Sequence, residues 1–372
     1  MSTTLVHRHK KLRRLLQEQN LDALALNPGP TLPYLTGLHF HLSERPVVVI
    51  FPRQGPLLIV LPELEAPKVE NLPYEAISFP YEEDPTTWGN AFTAALALSG
   101  LLSARIGVEP RWLRVLELRY LEAAAPNAEF VPAESATAAL RMFKDRDEIA
   151  AMQKAVDIAQ AALEATLPAI RPGVTEREIA AELTTQLLRH GSSGAFPFHP
   201  IVSGGPNSAN PHATPTDRPL QEGDLLVIDY GANVDGYFSD ITRTFALGEV
   251  EAEYQHIAEI VLQANQAARA AAGPGVPAAE VDKAARQVIE KAGYGEYFTH
   301  RTGHGLGLEV HEEPYIRGDN QQVLQPGMTF TIEPGIYLRG RNGVRIEDDV
   351  VITADGCRSL TDLPRELRIL PL

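Results

Sequence analysis

Thiols are almost missing from this chain of 372 residues, in which Cys357 is the single cysteine. No internal disulfide can form, nor a structural zinc site built from several thiolates, and the usage fits a reducing cytoplasm. Long apolar runs are missing too. None approaches the roughly 18–20 residues that cross a bilayer, so no membrane partner is expected. The segment from Met1 to Leu16 is polar and basic and lacks the apolar stretch of a secretory signal. Positive charge is in short supply overall. The net charge of −15 argues against a nucleic-acid partner. The one basic cluster, His7 to Arg14, is followed by Leu15, Leu16 and Leu21 and reads as the polar side of an amphipathic first helix.

What is present is the balance of a globular protein, with 44% hydrophobic and 22% charged residues. The length exceeds one ordinary core, so two domains are expected, at 1–136 and 137–372. The first reads as a small α/β unit. A helix is expected over 10–19, then a strand over 21–26 that Pro28-Gly29-Pro30 ends. Strands over 47–51 and 57–61 flank a hairpin signal at Pro52–Pro56, and helices near 87–99 and 112–124 flank a strand near 104–108. No catalytic constellation is visible there. His39 and His41 alternate, but no carboxylate pair accompanies them, and they read as surface or loop residues.

From 137 onward the texture changes to long Ala-rich helices. One helix runs over 145–167 and a second starts near Thr175; a later pair covers 252–272 and starts again at Pro277. Pro172-Gly173-Val174 and Pro274-Gly275-Val276 are offset by 102 residues, as are Glu178 and Glu280, and Gly191 and Gly293. A shared offset over such a span predicts an internally duplicated domain. Strands at 225–232 and 237–246 follow the first helix pair, and strands at 328–338 and 343–352 follow the second. Two helix-pair-plus-hairpin halves are expected, their sheets meeting at one central site.

Each hairpin carries a pair of carboxylates. A four-residue turn at Asn233–Gly236 would set Asp229 directly opposite Asp240, on one face of apolar strands. A turn centred on Gly340 would set Glu333 opposite Glu347, with Arg345 on the same face. Carboxylates so placed repel one another unless a cation lies between them. His304 sits in Gly303-His304-Gly305, where glycines allow another element to come close. Four carboxylates and one imidazole suit two divalent ions, with manganese, cobalt or zinc as candidates.

These stretches, 229-DYGANVDGYFSD-240, 303-GHGLGLEVHE-312, 331-TIEPGIY-337 and 343-GVRIEDDV-350, resemble in order and spacing the motifs of the metallopeptidase family that includes methionine aminopeptidase, aminopeptidase P and prolidase. The resemblance implies an internally duplicated pita-bread catalytic domain behind a small N-terminal α/β (creatinase-N-like) domain, the layout of the aminopeptidase P and prolidase branch. It implies Asp229, Asp240, His304, Glu333 and Glu347 as ligands of two divalent ions, manganese first. It implies Glu333 as general base and His311 as a hydrogen-bond donor to the scissile carbonyl or the intermediate. His212, His300 and Arg345 match further substrate or catalytic positions. Where several prolidases carry an arginine that binds a dipeptide's carboxylate, this chain has Tyr315. The leading expectation is therefore an aminopeptidase P-like enzyme acting on peptides with proline in second place. An Xaa-Pro dipeptidase is the alternative, and a non-catalytic binding module of the same fold comes after it. A homodimer is expected from the same resemblance.

Overall fold

The computed structural model describes residues 3–372; Met1 and Ser2, where the polar N-terminal segment begins, lie outside them. The chain divides into two compact units, the first ending at Arg141 and the second running Met142–Leu372.

The first unit runs α1 (Thr3–Glu18), β1 (Ala23–Leu26), α2 (Thr31–Thr36), β2 (Val48–Pro52), β3 (Leu57–Pro62), β4 (Ala76–Tyr81), α3 (Trp88–Leu98), β5 (Arg105–Val108), α4 (Val115–Ala124), β6 (Glu129–Pro132) and α5 (Glu134–Arg141). Its strands form one sheet in the order β4-β3-β2-β1-β5-β6. The β1–β2 and β2–β3 pairings are antiparallel and the others parallel. Ala23, Ala25, Val48, Ile50, Leu58 and Val60 pack with Trp88 and Phe92 of α3. Residues between them are buried as well, which is why β1 to β3 read as unbroken apolar runs. The edge strand β4, mostly exposed or half-buried, offers no such run. In α1, Leu12, Leu15 and Leu16 are buried while Lys10, Arg13 and Arg14 are exposed, as an amphipathic helix requires. His39 and His41 are exposed between α2 and β2.

The second unit begins with α6 (Arg146–Thr166), α7 (Glu176–Arg189), β7 (Ile201–Gly204), β8 (Leu225–Tyr230), β9 (Asn233–Val234), β10 (Tyr237–Phe238) and β11 (Ile241–Leu247). It continues with α8 (Ala252–Ala271), α9 (Ala278–Lys291), β12 (Gly303–Gly305), β13 (Glu312–Ile316), β14 (Thr329–Ile332), β15 (Gly335–Tyr337), β16 (Gly343–Arg345), β17 (Asp348–Ile352), β18 (Cys357–Ser359) and β19 (Arg368–Leu370). A four-stranded sheet, β19-β11-β8-β7, and a five-stranded one, β13-β12-β14-β17-β18, are accompanied by the ribbons β9–β10 and β15–β16. Asp145 and Thr175 start α6 and α7 with capping boxes closed by Glu148 and Glu178.

The duplication is visible in the backbone. Gly173 and Gly275 share φ near +88° (+89° and +87°), and Gly191 and Gly293 are both left-handed. The amide of Gly173 donates to Leu220 and that of Gly275 to Leu324, each at 2.8 Å. Leu220 and Leu324 return bonds to Val174 and Val276, again at 2.8 Å. The repeats differ at Glu280, because α9 starts behind Pro277 and has no side-chain cap. The halves are joined by a bridge between Thr242 and Glu347, with the Glu347 amide 3.1 Å from the Thr242 oxygen. Thr244 Oγ1 donates to the Arg345 carbonyl at 2.8 Å beside it.

Candidate active site

In the first hairpin Thr242, not Asp240, lies opposite Asp229. The turn explains the difference. Asp235 and Gly236 both take positive φ, 53° and 88°, so Val234 pairs with Tyr237 across two residues rather than four. The register moves by two, which keeps side chains on their face, and Asp229 and Asp240 become diagonal neighbours. The second hairpin keeps its expected register. Ile332 pairs with Asp348 and Gly335 with Arg345, so Glu333 stands across from Glu347. His304 reaches the same place on β12, threaded between β13 and β14. A Cβ at Gly303 would lie 1.9 Å from the Thr331 oxygen, and one at Gly305 would lie 2.4 Å from Glu313 backbone. Only glycine permits that passage.

Ligand atoms of Asp240, His304 and Glu347 all lie within 4.8 Å of one another. His304 Nδ1 lies 3.2 Å from the Gly305 carbonyl and donates to it, so Nε2 faces Asp240 Oδ2 at 3.6 Å and Glu333 Oε1 at 3.5 Å. The carboxyls of Asp240 and Glu347 are pushed well above their ordinary range. Burial is the main cause in both, followed by Glu347 for Asp240 and by Glu333 for Glu347. Burial also lifts Glu333 to about 7, while it holds His304 well below the usual imidazole value, assisted by His311. Asp229 Oδ1 and Asp240 Oδ1 are buried without a hydrogen-bond partner. Crowded carboxylates, two orphaned oxygens and an open imidazole nitrogen are what a divalent cation would satisfy, so these residues fit one.

Around them runs a network of fixed partners. Arg345 donates to Asp229 Oδ2 at 2.6 Å, to Thr242 Oγ1 at 3.1 Å and to Tyr337 Oη at 3.0 Å. Tyr337 Oη in turn lies 2.8 Å from His300 Nε2, whose other nitrogen donates to the Arg301 carbonyl at 2.7 Å. Burial and the adjacent Arg345 push His300 down to about 3, so it is a neutral acceptor for Tyr337. Arg243 donates to the carbonyls of Thr242 and Glu347 at 2.8 and 2.7 Å and pairs with buried Asp348. It thereby clamps the bridge between the halves.

Two buried carboxylates near the starts of the second helices hold the loops. Glu176 of α7 accepts from the Gly204 and Thr216 amides, Thr216 Oγ1 and Asn207 Nδ2, at 2.7–2.9 Å. That fixes the loop bearing His212. Asp282 of α9 accepts from the amide and hydroxyl of Thr302 and from Arg286, fixing the segment before His304. His311 is exposed, with its ring centroid 4.1 Å from that of His304. Its neighbour Glu312 forms a buried 2.5 Å bridge with Lys144.

A cavity of about 640 Å³ is lined by Asp229, Asp240, His304, Glu333 and Glu347, and also by His212, His300, His311 and Arg345. Phe198, His199, Ile201, Pro211, Val310, Arg301 and Arg317 complete the wall. Tyr315 is the exception among the expected site residues. It is not part of the lining; its ring lies 4.6 Å from the Arg301 guanidinium carbon. Tyr337, Glu176, Asp282, Arg243 and Lys144 escaped the sequence reading. Most of their contacts lie with residues distant in sequence, and only Tyr337 sits inside a motif that could have drawn attention to it.

Residues 150–354 match the model of metallopeptidase family M24, and residues 8–143 match the creatinase/prolidase N-terminal domain. The Xaa-Pro dipeptidase of Lactobacillus helveticus is 37% identical over 97% of this chain and 98% of its own. A dipeptidase from Pyrococcus horikoshii OT3 superposes with a TM-score of 0.92 at 41% identity, covering 98% of this chain and 100% of that one. A recombinant prolidase from Thermococcus sibiricus gives 0.93 at 35% identity, with both chains fully covered. With the duplicated pita-bread unit and the preceding α/β unit in place, the chain belongs to metallopeptidase family M24, in its Xaa-Pro peptidase group.

Proposed function

We propose that this enzyme is an Xaa-Pro dipeptidase that works with two divalent ions, manganese first among them. The observation that carries the reading is the composition of one cavity, where five ligand groups share a wall with apolar side chains and guanidinium groups. Asp229, Asp240, His304, Glu333 and Glu347 would hold the ions. When bound, the ions lower the pKa of a water and polarise the scissile carbonyl. Glu333, on the cavity wall beside them, would accept the proton of the attacking water, the role that the family resemblance implies. His311 donates a hydrogen bond to the oxygen that gains charge, and His212 orients the peptide. Arg345 holds the Asp229 carboxylate in place through its 2.6 Å contact. Phe198, Ile201, Pro211 and Val310 give a proline ring apolar surface. We place the enzyme in the cytoplasm as a homodimer, in keeping with its single cysteine and its family resemblance.

The aminopeptidase P reading keeps one argument, the absence of an arginine at Tyr315. It is weakened by the guanidinium groups that line the cavity elsewhere. Steady-state kinetics on matched Xaa-Pro dipeptides and Xaa-Pro-Yaa tripeptides, with manganese added, decide between them. A higher kcat/KM on dipeptides is expected. Cleavage confined to tripeptides and longer peptides would establish the aminopeptidase reading instead.

A further inference from the structure

Three guanidinium groups line the cavity, those of Arg301, Arg317 and Arg345, and they differ in what already engages them. Arg345 is committed to Asp229, Thr242, Tyr337 and the Pro211 carbonyl. Arg317 is paired with Asp319 at 3.0 Å in an exposed bridge. The Arg301 guanidinium makes no hydrogen bond or ion pair to a carboxylate or carbonyl among the described residues and acts on Glu333 only through space; it lies over the face of the Tyr315 ring, 4.6 Å from the centroid. Stacking of this kind fixes a guanidinium while consuming none of its N–H donors.

The backbone beneath Arg301 is pinned on both sides. His300 Nδ1 donates to the Arg301 carbonyl at 2.7 Å, and Thr302 is held to Asp282 by its amide and its hydroxyl. The Glu333 amide donates to the Thr302 carbonyl at 2.7 Å. Fixed backbone contacts thus tie Arg301 to Glu333.

We infer that Arg301, steadied by the ring of Tyr315, receives the terminal carboxylate of the dipeptide substrate. The inference rests on the dipeptidase reading and adds the residue that sets it. A dipeptide brings a carboxylate one residue beyond the scissile bond, and enclosing it without a partner is costly. The open fork of Arg301 can bind both oxygens through charge-assisted hydrogen bonds. The family arginine expected at 315 is then replaced by two residues, a tyrosine there that supplies the platform and an arginine at 301 that supplies the charge.

The test compares an Xaa-Pro dipeptide with its C-terminal amide, which differ only in that charge. In manganese-loaded protein, Arg301→Met should lower the dipeptide-to-amide ratio of kcat/KM about ten- to hundredfold, mostly through the dipeptide KM. Arg301→Lys should recover part of the ratio. Tyr315→Phe, which keeps the ring face, should hold the ratio, and Tyr315→Leu should lower it several-fold. Competitive inhibition by free proline against prolinamide should shift in parallel. An unchanged ratio in Arg301→Met and Arg301→Lys, with the wild type cleaving dipeptides, overturns this assignment alone. A ratio that collapses in Arg317→Met instead overturns it in favour of Arg317. A wild type that cleaves no Xaa-Pro dipeptide removes the dipeptidase reading and this inference together.

Discussion

Loading chelator-stripped protein with manganese should expel protons, more of them at pH 6 than at pH 8. Glu333 sets the scale. Burial lifts its carboxyl to about 7, so about nine-tenths of the molecules carry that proton at pH 6 and about one-tenth at pH 8. A carboxylate ligand must be ionised to bind a metal. Glu333 alone then releases about 0.9 proton per chain at pH 6 and about 0.1 at pH 8. Asp240 and Glu347, both held well above their ordinary range by burial and by neighbouring carboxylates, add to the release. His304 adds none, because burial keeps it neutral already. The sign follows: protons compete with the ion, so apparent affinity weakens as pH falls, by about 1.4 kcal/mol per unit for each proton displaced. Isothermal titration calorimetry in buffers of different ionisation enthalpy counts the protons directly. A release near zero at pH 6, or one that grows towards pH 8, would refute the crowded-carboxylate account of this centre.

Asp240→Ala should abolish peptidase activity and bound metal together, as metal analysis of the purified variant would report. His311→Ala and His212→Ala should keep their metal and lose on the order of 10²–10³ in rate, the usual cost of one hydrogen bond made in the transition state; loss of metal from either would show it to be a ligand. Lys144→Met removes the ammonium from a buried ion pair with Glu312 and should cost about 3–5 kcal/mol of stability in denaturant titration. A shift within experimental error would show that this ion pair contributes nothing to stability.

Much of the site is legible in the sequence because its carboxylate pairs sit on hairpins, where spacing fixes register. Glu333 and Glu347 fall where a turn centred on Gly340 puts them. The expected pairing of Asp229 with Asp240 is off by two residues because Asp235-Gly236 forms the tight turn, although Asp-Gly is itself the sequence signal for such a turn. The duplication is readable because both halves need left-handed glycines at the same places. Glu176, Asp282 and Lys144 are not readable. A carboxylate in the first turn of a helix suits the helix dipole by itself, and nothing local says that Glu176 will also hold a loop up to 40 residues further on. Tyr315 illustrates the opposite error. Position within the motif suggests a place in the cavity wall, but its ring turns to Arg301 and takes part from behind.

The bridge between Thr242 and Glu347 has a consequence for how the centre comes into being. Asp229 and Asp240 belong to the first half of the catalytic unit, and His304, Glu333 and Glu347 to the second. The Thr242 hydroxyl meets the Glu347 carboxylate across 105 residues of chain, and Arg243 locks the backbone at the same point. Closing so long a loop costs entropy before any contact repays it, so the centre forms late in folding. Neither half alone offers an ion more than a fraction of the five proposed ligands. A nascent or cleaved chain carrying only the first half is therefore a poor trap for stray metal, and tight binding begins when the two halves have docked in register.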